Sequence, residues 1–311
     1  YGLAGFFNGM KRESLDENRE LIYHPGHQSM AIPVINQAVD TRPLAGSATS
    51  ADGQTDPRPE LASWVTARDN PTFSKLVSNR IWKHLMGRGL VEPEDDFRET
   101  NPPTNPELLD HLANTLVENN FDIKSLMRHI LNSKSFQLSS TPNESNYTDD
   151  QMFSHYLVRR MPAEVMLDAI CHVTLVPEQY AGHPQGTRAI DLWDNQLPSY
   201  FLDTFGRNLR ESPCECGSSG DPTMAQALHL LNAPEIELKL QSANGRVSDL
   251  TKSDFDVDKL IEEITLITAN RLPNMREIAI GKQLLNNPSR RQGIEDFLWV
   301  MMNSYDFLFV K

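Results

Sequence analysis

The sequence predicts a mainly α protein, a multi-helix domain with a small β-hairpin near its N-terminus, and three observations carry that prediction. One helix-start device, a Pro with a Glu close behind, recurs at Pro59-Glu60, Pro106-Glu107, Pro162-Ala163-Glu164 and Pro234-Glu235. Pro gives up only an N–H that a helix leaves unpaired at its start, and Glu meets the positive end of the helix dipole. Apolar residues then recur at helical spacing from Arg58 to Met302. Only residues 20–23 and 31–35 carry a clear strand signal, short β-branched or aromatic runs on either side of His24-Pro25-Gly26-His27.

Taken in order, residues 1–10 are apolar and aromatic and read as the end of a helix, with 11–18 as its polar exit. Phe6 and Phe7 would then need a partner to bury against. Residues 41–57 form a loop of Gly, Ser, Thr, Ala and Asp, expected to be exposed. Leu61, Trp64 and Val65 make a first apolar helical face, and Phe73, Leu76, Val77, Ile81 and Leu85 a second, which Gly87 ends as a C-cap. Leu108, Leu109, Leu112, Leu116 and Val117 form a third, ending at Asn119-Asn120, and Asp122 caps a fourth through Leu126, Ile130 and Leu131. Polar residues 139–150 interrupt the pattern. A strongly apolar helix follows over 162–176, then a loop over 177–186 and an extended stretch over 187–193. Near the end, 257–271 is amphipathic through Leu260, Ile261, Ile264 and Ile267, and it is followed closely by helical patterns at 275–285 and 294–302. Such short connections favour antiparallel packing.

Composition narrows the function. The chain has 42 acidic against 29 basic residues, a net charge of -13, which argues against nucleic acid and anionic membrane as partners because phosphate binding needs clustered positive charge. No apolar run approaches the ~20 residues that span a bilayer. The chain begins at Tyr1 with no signal-peptide pattern, and is expected to be part of something longer. Three cysteines are too few for a disulfide framework, and Cys171, within an apolar run, is expected to act as a small buried hydrophobe.

The stretch that departs furthest from ordinary helix is 205–232. Pro213, Gly217, Gly220 and Pro222 punctuate it, so its first part cannot be regular. Asp221 is suited to cap a helix that has Pro222 in its first turn and Met224, Leu228 and Leu231 on one face. The loop brings together Arg207, Arg210, Glu211, Cys214 and Cys216, the candidate binding residues of this chain. Cys214 and Cys216, one residue apart, can close a strained disulfide, stay as buried thiols, or present two sulfurs to a soft metal with Glu211 or a histidine as a further ligand. Their spacing is not that of a structural zinc site, which prefers Cys-x-x-Cys.

Other groups are weaker candidates. His24 and His27 have chelating spacing but no evident third ligand, and a solvated turn accounts for them. His84, His111, His129 and His172 lie beside apolar residues in helices and read as packing histidines. Among Arg80, Arg88, Arg98, Arg159, Arg160, Arg207 and Arg210, most are expected to pair internally with acids such as Glu94, Asp95 and Asp96. Arg207 and Arg210 are the exceptions, available for carboxylate or sulfate ligands because they flank the cysteine loop. Asp191 with Asp194, or Asp203 with Glu211, could serve glycoside hydrolysis only at a fixed separation with one pKa raised. Ser212 and Ser218 lack a nucleophile-elbow context.

Several blocks together resemble a known family. Asp69-Asn70-Pro71, Asn79-Arg80-Ile81-Trp82-Lys83-His84, Gly87-Arg88-Gly89-Leu90-Val91, Asn101-Pro102-Pro103-Thr104-Asn105-Pro106, Phe205-Gly206-Arg207 with Cys214-Glu215-Cys216, and Gln226-Ala227-Leu228 are similar to the planctomycete-type C-terminal domain of unknown function numbered fifteen fifty-three. The resemblance runs from about residue 58 to the end, while Tyr1 to Arg12 resembles the last helix of the companion domain that usually precedes it. It implies three segments: a companion-domain tail over 1–19, a hairpin and linker over 20–57, and a helical C-terminal domain over 58–311. It also implies an extracytoplasmic bacterial setting, in proteins that often carry a cytochrome c-like haem domain or a sugar-binding module. No cofactor is expected in these residues, since they hold no Cys-x-x-Cys-His motif; any haem would belong to an N-terminal part. The family lends no catalytic residues.

Two readings of function follow. In the first, the chain is a non-catalytic module that docks against its companion domain and binds a protein or glycan through the cysteine–arginine loop. In the second, it is a redox or hydrolytic subunit with its site at Cys214 and Cys216, working with a separate haem or companion domain.

Overall fold

The structure, a computed structural model, describes residues 1–16, 19–26, 30–35, 37–44, 46, 55–193, 197–207, 223, 224, 226, 230 and 233–311. It is mainly α, and the sheets among the described residues are small, two-stranded and antiparallel. The chain divides into two compact units, Tyr1–Leu138 with Asn143–His155, and Ser139–Pro142 with Tyr156–Lys311.

The first unit opens with strands rather than a helix end. Ala4–Phe6 is one turn of 3-10 helix, after which β1 (Lys11–Asp16) pairs with β2 (Arg19–Tyr23), Lys11 opposite Tyr23. β3 (Met30–Ile32) pairs with β4 (Gln37–Val39). The hairpin expected between 20–23 and 31–35 is thus replaced by two hairpins of near neighbours, for which less loop-closure entropy is lost. Phe6 needs no outside partner: it is fully buried, while Phe7 is half exposed. The backbone approaches closely there, since a Cβ on Gly5 would lie 2.2 Å from the Thr41 hydroxyl, and Thr41 is itself buried at the start of the loop expected to be exposed.

Helices α1 (Arg58–Val65), α2 (Pro71–Met86), α3 (Pro106–Glu118) and α4 (Ile123–Leu131) follow. Asn70 accepts hydrogen bonds from the Thr72 and Phe73 amides, Asn105 from Leu108 and Asp122 from Lys124, the side-chain caps that helix starts need. Gly87, in the left-handed region with φ of 85°, closes α2 by donating to the Lys83 carbonyl. Of the apolar face expected for α2, only Leu85 is buried, and the buried face is mixed. Phe73, Leu76, Val77 and Ile81 are only partly covered, whereas Ser74, Ser78, Asn79, Trp82, Leu85 and Met86 are buried. α3 and α4, which pack on each other, bury most of the faces their spacing predicts, Leu109, Leu112 and Leu116 on one and Leu126 and Ile130 on the other, while Leu131 is exposed.

The second unit holds α5 (Ala163–Thr174), α6 (Tyr200–Thr204), α7 (Pro234–Gln241), α8 (Arg246–Lys252), α9 (Val257–Ala269), α10 (Met275–Leu285), α11 (Arg290–Met302) and α12 (Tyr305–Leu308). A two-residue ladder joins β5 (Arg159–Arg160) to β6 (Phe309–Val310). Pro162 sits at the N-cap of α5, one position earlier than its Pro-Glu pattern suggests. Residues 187–193 are not extended but contain a 3-10 turn, Ala189–Asp191, because the Asp168 carboxylate accepts hydrogen bonds from the Ala189 and Ile190 amides. One core runs through α5, α6 and α7 to α11, with Ile264, Ile294, Phe297 and Leu298 fully buried. α9, α10 and α11 pack pairwise, and two small residues allow it: a Cβ on Gly281 would lie 2.6 Å from Ile261 Cγ1, and one on Gly293 2.7 Å from the Leu284 carbonyl oxygen.

Candidate functional site

The Phe205-Gly206-Arg207 block ends α6. Gly206 takes φ of 75°, its amide donates to the Asp203 carbonyl and the Arg207 amide to the Leu202 carbonyl, so the chain leaves the helix through a Schellman turn that needs glycine at this point. The next two carbonyls are met by side chains from far away. Gln226 Nε2 donates to the Thr204 carbonyl at 3.0 Å and Arg160 Nη2 to that of Phe205 at 3.1 Å. Arg160 also donates to Gln226 Oε1 and lies over the Phe205 ring, 5.9 Å from its centroid. Burial pushes the Arg160 pKa down. The family-like residues Phe205, Gly206 and Gln226 are therefore accounted for by helix termination.

Arg207 is placed differently. Its Nη2 pairs with Asp203 at 2.8 Å, yet the side chain is only 5% exposed, and among the described residues its buried Nε and Nη1 have no hydrogen-bond partner. The Tyr180 hydroxyl is likewise buried and without a partner among the described residues. Burial is the main cause of a raised Tyr180 pKa, with the negative charges of Glu178 and Asp168 adding to it, and the positive charge of Arg207 is near enough to oppose the shift. A desolvated cation with open N–H groups costs free energy unless something pairs with it.

Of the residues expected to share this loop, Arg210, Glu211, Cys214 and Cys216 lie outside the described residues, as do Asp194, Ser212, Ser218, Asp221, Leu228 and Leu231. Met224 is 76% exposed rather than part of an apolar helical face. Cys171 is partly covered against the core, and burial raises its pKa, so it is a poor nucleophile. Asp191 is held by Arg188 and Asp203 by Arg207. Ion pairing holds the Asp191 pKa down, the opposite of what a general acid needs.

The other family-like blocks form a polar network centred on Asn79 in the first unit, although Trp82 Nε1 and Arg88 Nε are buried without a hydrogen-bond partner among the described residues. Asn79, completely buried, accepts from the Leu90 and Val91 amides at 2.7 and 3.1 Å and donates to the Val91 and Glu94 carbonyls at 2.9 Å each. Gly89 fits because a Cβ there would lie 2.5 Å from the Val91 carbonyl oxygen. Lys83 bridges Glu92 at 3.2 Å and Glu94 at 2.6 Å, and Asn101 donates to the Glu92 and Asp96 carbonyls. Internal pairing accounts for Arg80 with Asp95 and Arg98 with Asp96, while Glu94 is taken by Lys83 rather than by an arginine.

Histidines were misplaced by sequence reasoning. His84, His111, His129 and His172 are all exposed rather than packed in the core. His24 does not sit at a hairpin tip but contacts the Asn8 carbonyl through Nε2 at 3.1 Å; His27 lies outside the described residues. His111 and His129 meet, with Nε2 atoms 3.1 Å apart, a pairing across two helices that no local motif signals.

Two clefts open in the second unit. One, of about 380 Å³, is lined by Glu237, Glu295, Asp296 and Trp299, and the other, of about 430 Å³, by Arg271, Glu277, Tyr305 and Asp306. Most of their charges are already engaged: Gln241 donates to Glu237, Arg291 holds Glu295, Gln292 donates to Asp296, and Arg271 binds Glu277 and Asp306 together.

Fold and site together define a mainly α protein whose recurrent motifs build helix ends and a buried loop network, with Arg207 buried and paired through Nη2 alone among the described residues. The chain belongs to PSD1, a family of proteins of unknown function (DUF1553), whose match covers residues 57–285. No curated protein matches the sequence, and no solved structure matches it. No helix among the described residues is long and apolar enough to cross a membrane.

Proposed function

We propose that the chain is a non-catalytic binding and docking module of an exported bacterial multidomain protein, organised as a companion-domain tail over 1–19, a linker over 20–57 and a helical domain over 58–311. The observation that carries the binding part is Arg207, a buried guanidinium whose Nε and Nη1 have no partner among the described residues, with a charge that acts on the buried Tyr180 hydroxyl. Such groups suit an oxyanion, a carboxylate or sulfate on a glycan or protein, because a charge-assisted hydrogen bond in a desolvated place is stronger than one in water. Arg210, Glu211, Cys214 and Cys216 belong to the same proposed surface. Docking is supported by β1 and β2, whose residues are exposed throughout, Leu15, Leu21 and Ile22 among them, since a lone two-stranded hairpin is marginal in water.

The test is calorimetric binding of sulfate and of a uronic acid oligosaccharide to the wild-type chain, Arg207→Lys and Tyr180→Phe. Binding that weakens at least about tenfold in Arg207→Lys supports the reading. Equal binding by all three chains, or none by the wild type, removes Arg207 from it.

A further inference from the structure

We propose that His111 and His129 form a surface site for a first-row transition-metal dication of the Zn(II), Ni(II) or Cu(II) type. The site is separate from Arg207 and lies within the first unit. α3 and α4 are joined by a tight turn in which Asn120 and Phe121 take φ of 54° and 59° and the Phe121 amide donates to the Leu116 carbonyl. That turn folds α4 back on α3, and the apolar seam of Leu109, Leu112, Leu116, Leu126 and Ile130 fixes their register. His111 and His129 flank this seam on the exposed side, brought together across 18 residues of sequence.

The geometry suits a shared metal. The two Nε2 atoms are 3.1 Å apart, the ring centroids 5.2 Å apart, and the ring planes inclined by 52°. Two imidazole nitrogens bound to one zinc at about 2.05 Å are separated by about 2.9 Å at a right angle and about 3.3 Å at the tetrahedral angle. The observed separation falls between these values, so the nitrogens keep their spacing and the exposed rings need only tilt until both lone pairs converge on the metal. Binding sacrifices one N–H···N hydrogen bond and places the ring protons on both Nδ1 atoms. Imidazole favours these metals over calcium or magnesium. Among the described residues no third His, Cys, Asp or Glu joins the pair, so water completes the coordination shell, which the exposure of both rings permits. A bound metal would cross-link α3 to α4 and stabilise the first unit by an amount that grows with the logarithm of metal concentration above its Kd.

The experiment is a titration of the intact chain with CuCl2 and NiCl2, followed by calorimetry and by NMR of the histidine ring protons, where a paramagnetic ion broadens the resonances nearest to it. Broadening should begin at His111 and His129 together. His129→Gln should spare the His111 resonance and His111→Gln that of His129, each variant weakening the calorimetric site by at least about tenfold, since even losing an outer-shell partner costs that much. Both positions are exposed, and an unchanged metal-free circular dichroism spectrum shows that the variants fold. Broadening that begins at other histidines, single variants that bind as the wild type does, or no binding at millimolar metal each overturns the proposal.

Discussion

Asn79→Ala should be among the most damaging single substitutions in the first unit. The wild-type side chain makes two hydrogen bonds as acceptor, from Leu90 and Val91, and two as donor, to Val91 and Glu94. Residues 90, 91 and 94 are 1%, 1% and 5% exposed, so water cannot replace the lost partners without opening the loop. A net contribution of about 1 kcal/mol per bond gives about 4 kcal/mol, and leaving buried groups unpaired sets that at the low end. Asn79→Asp is a sharper control: it keeps the acceptor for the two amides but sets a buried carboxylate against two carbonyl oxygens, and should be no less harmful. Hydrogen exchange at the Leu90 and Val91 amides reads this locally, which matters because a two-unit chain need not unfold in one step. The estimate corresponds to exchange about a thousandfold faster. Acceleration of less than about tenfold in Asn79→Ala would refute the view that this residue holds the loop.

Three further outcomes are expected. Gly293→Ala should lower the stability of the second unit by about 2 kcal/mol in urea denaturation, because the added methyl meets a backbone carbonyl; a gain, as helix propensity alone predicts, would show that the packing yields. The Glu277 pKa is lowered chiefly by its hydrogen bonds from Arg271, and that of Asp306 is lowered because bonds from Lys311 and Arg271 outweigh the upward push of burial. Depressed carboxylates contribute stability above their unfolded values and lose it as pH falls, so denaturation midpoints should drop from about pH 4.5 downward, less steeply in Arg271→Gln; equal slopes would count against this coupling. Brief alkylation of a reduced native sample should modify Cys214 and Cys216 before Cys171, whose thiol burial holds in the protonated form, and mass spectrometry of peptides checks the order; equal rates would remove the distinction.

Local chemistry was legible in the sequence. Asn70, Asn105 and Asp122 cap helices because the groups they bond lie two or three residues on, and Gly87 ends α2 because its own φ allows it. The faces of α3, α4 and α9 were largely readable for the same reason, since periodicity places Leu109, Leu112, Leu126, Ile130, Leu260 and Ile264 on buried faces, though Leu131 at the end of α4 is exposed. The partner of β2 was not: 11–16 carries no strand alternation, and pairing is decided by which segment lies beside it.

Tertiary structure decided everything that joins residues distant along the chain. Periodicity assigned Phe73, Val77 and Ile81 to the buried face of α2, yet the face carrying Ser74, Ser78 and Asn79 is buried, because the loop over 89–94 packs there and needs a polar side chain to meet its backbone. Arg160 was expected to seek a carboxylate; it instead closes the end of α6 with Gln226, 66 residues away, where unpaired carbonyls must be met. Arg207 stands out in the sequence by its neighbours, but only folding removes it from water while leaving two of its nitrogens without a partner among the described residues. A sequence states which groups can donate, accept or ligate, and the physical worth of each depends on burial and on partners that the fold alone supplies.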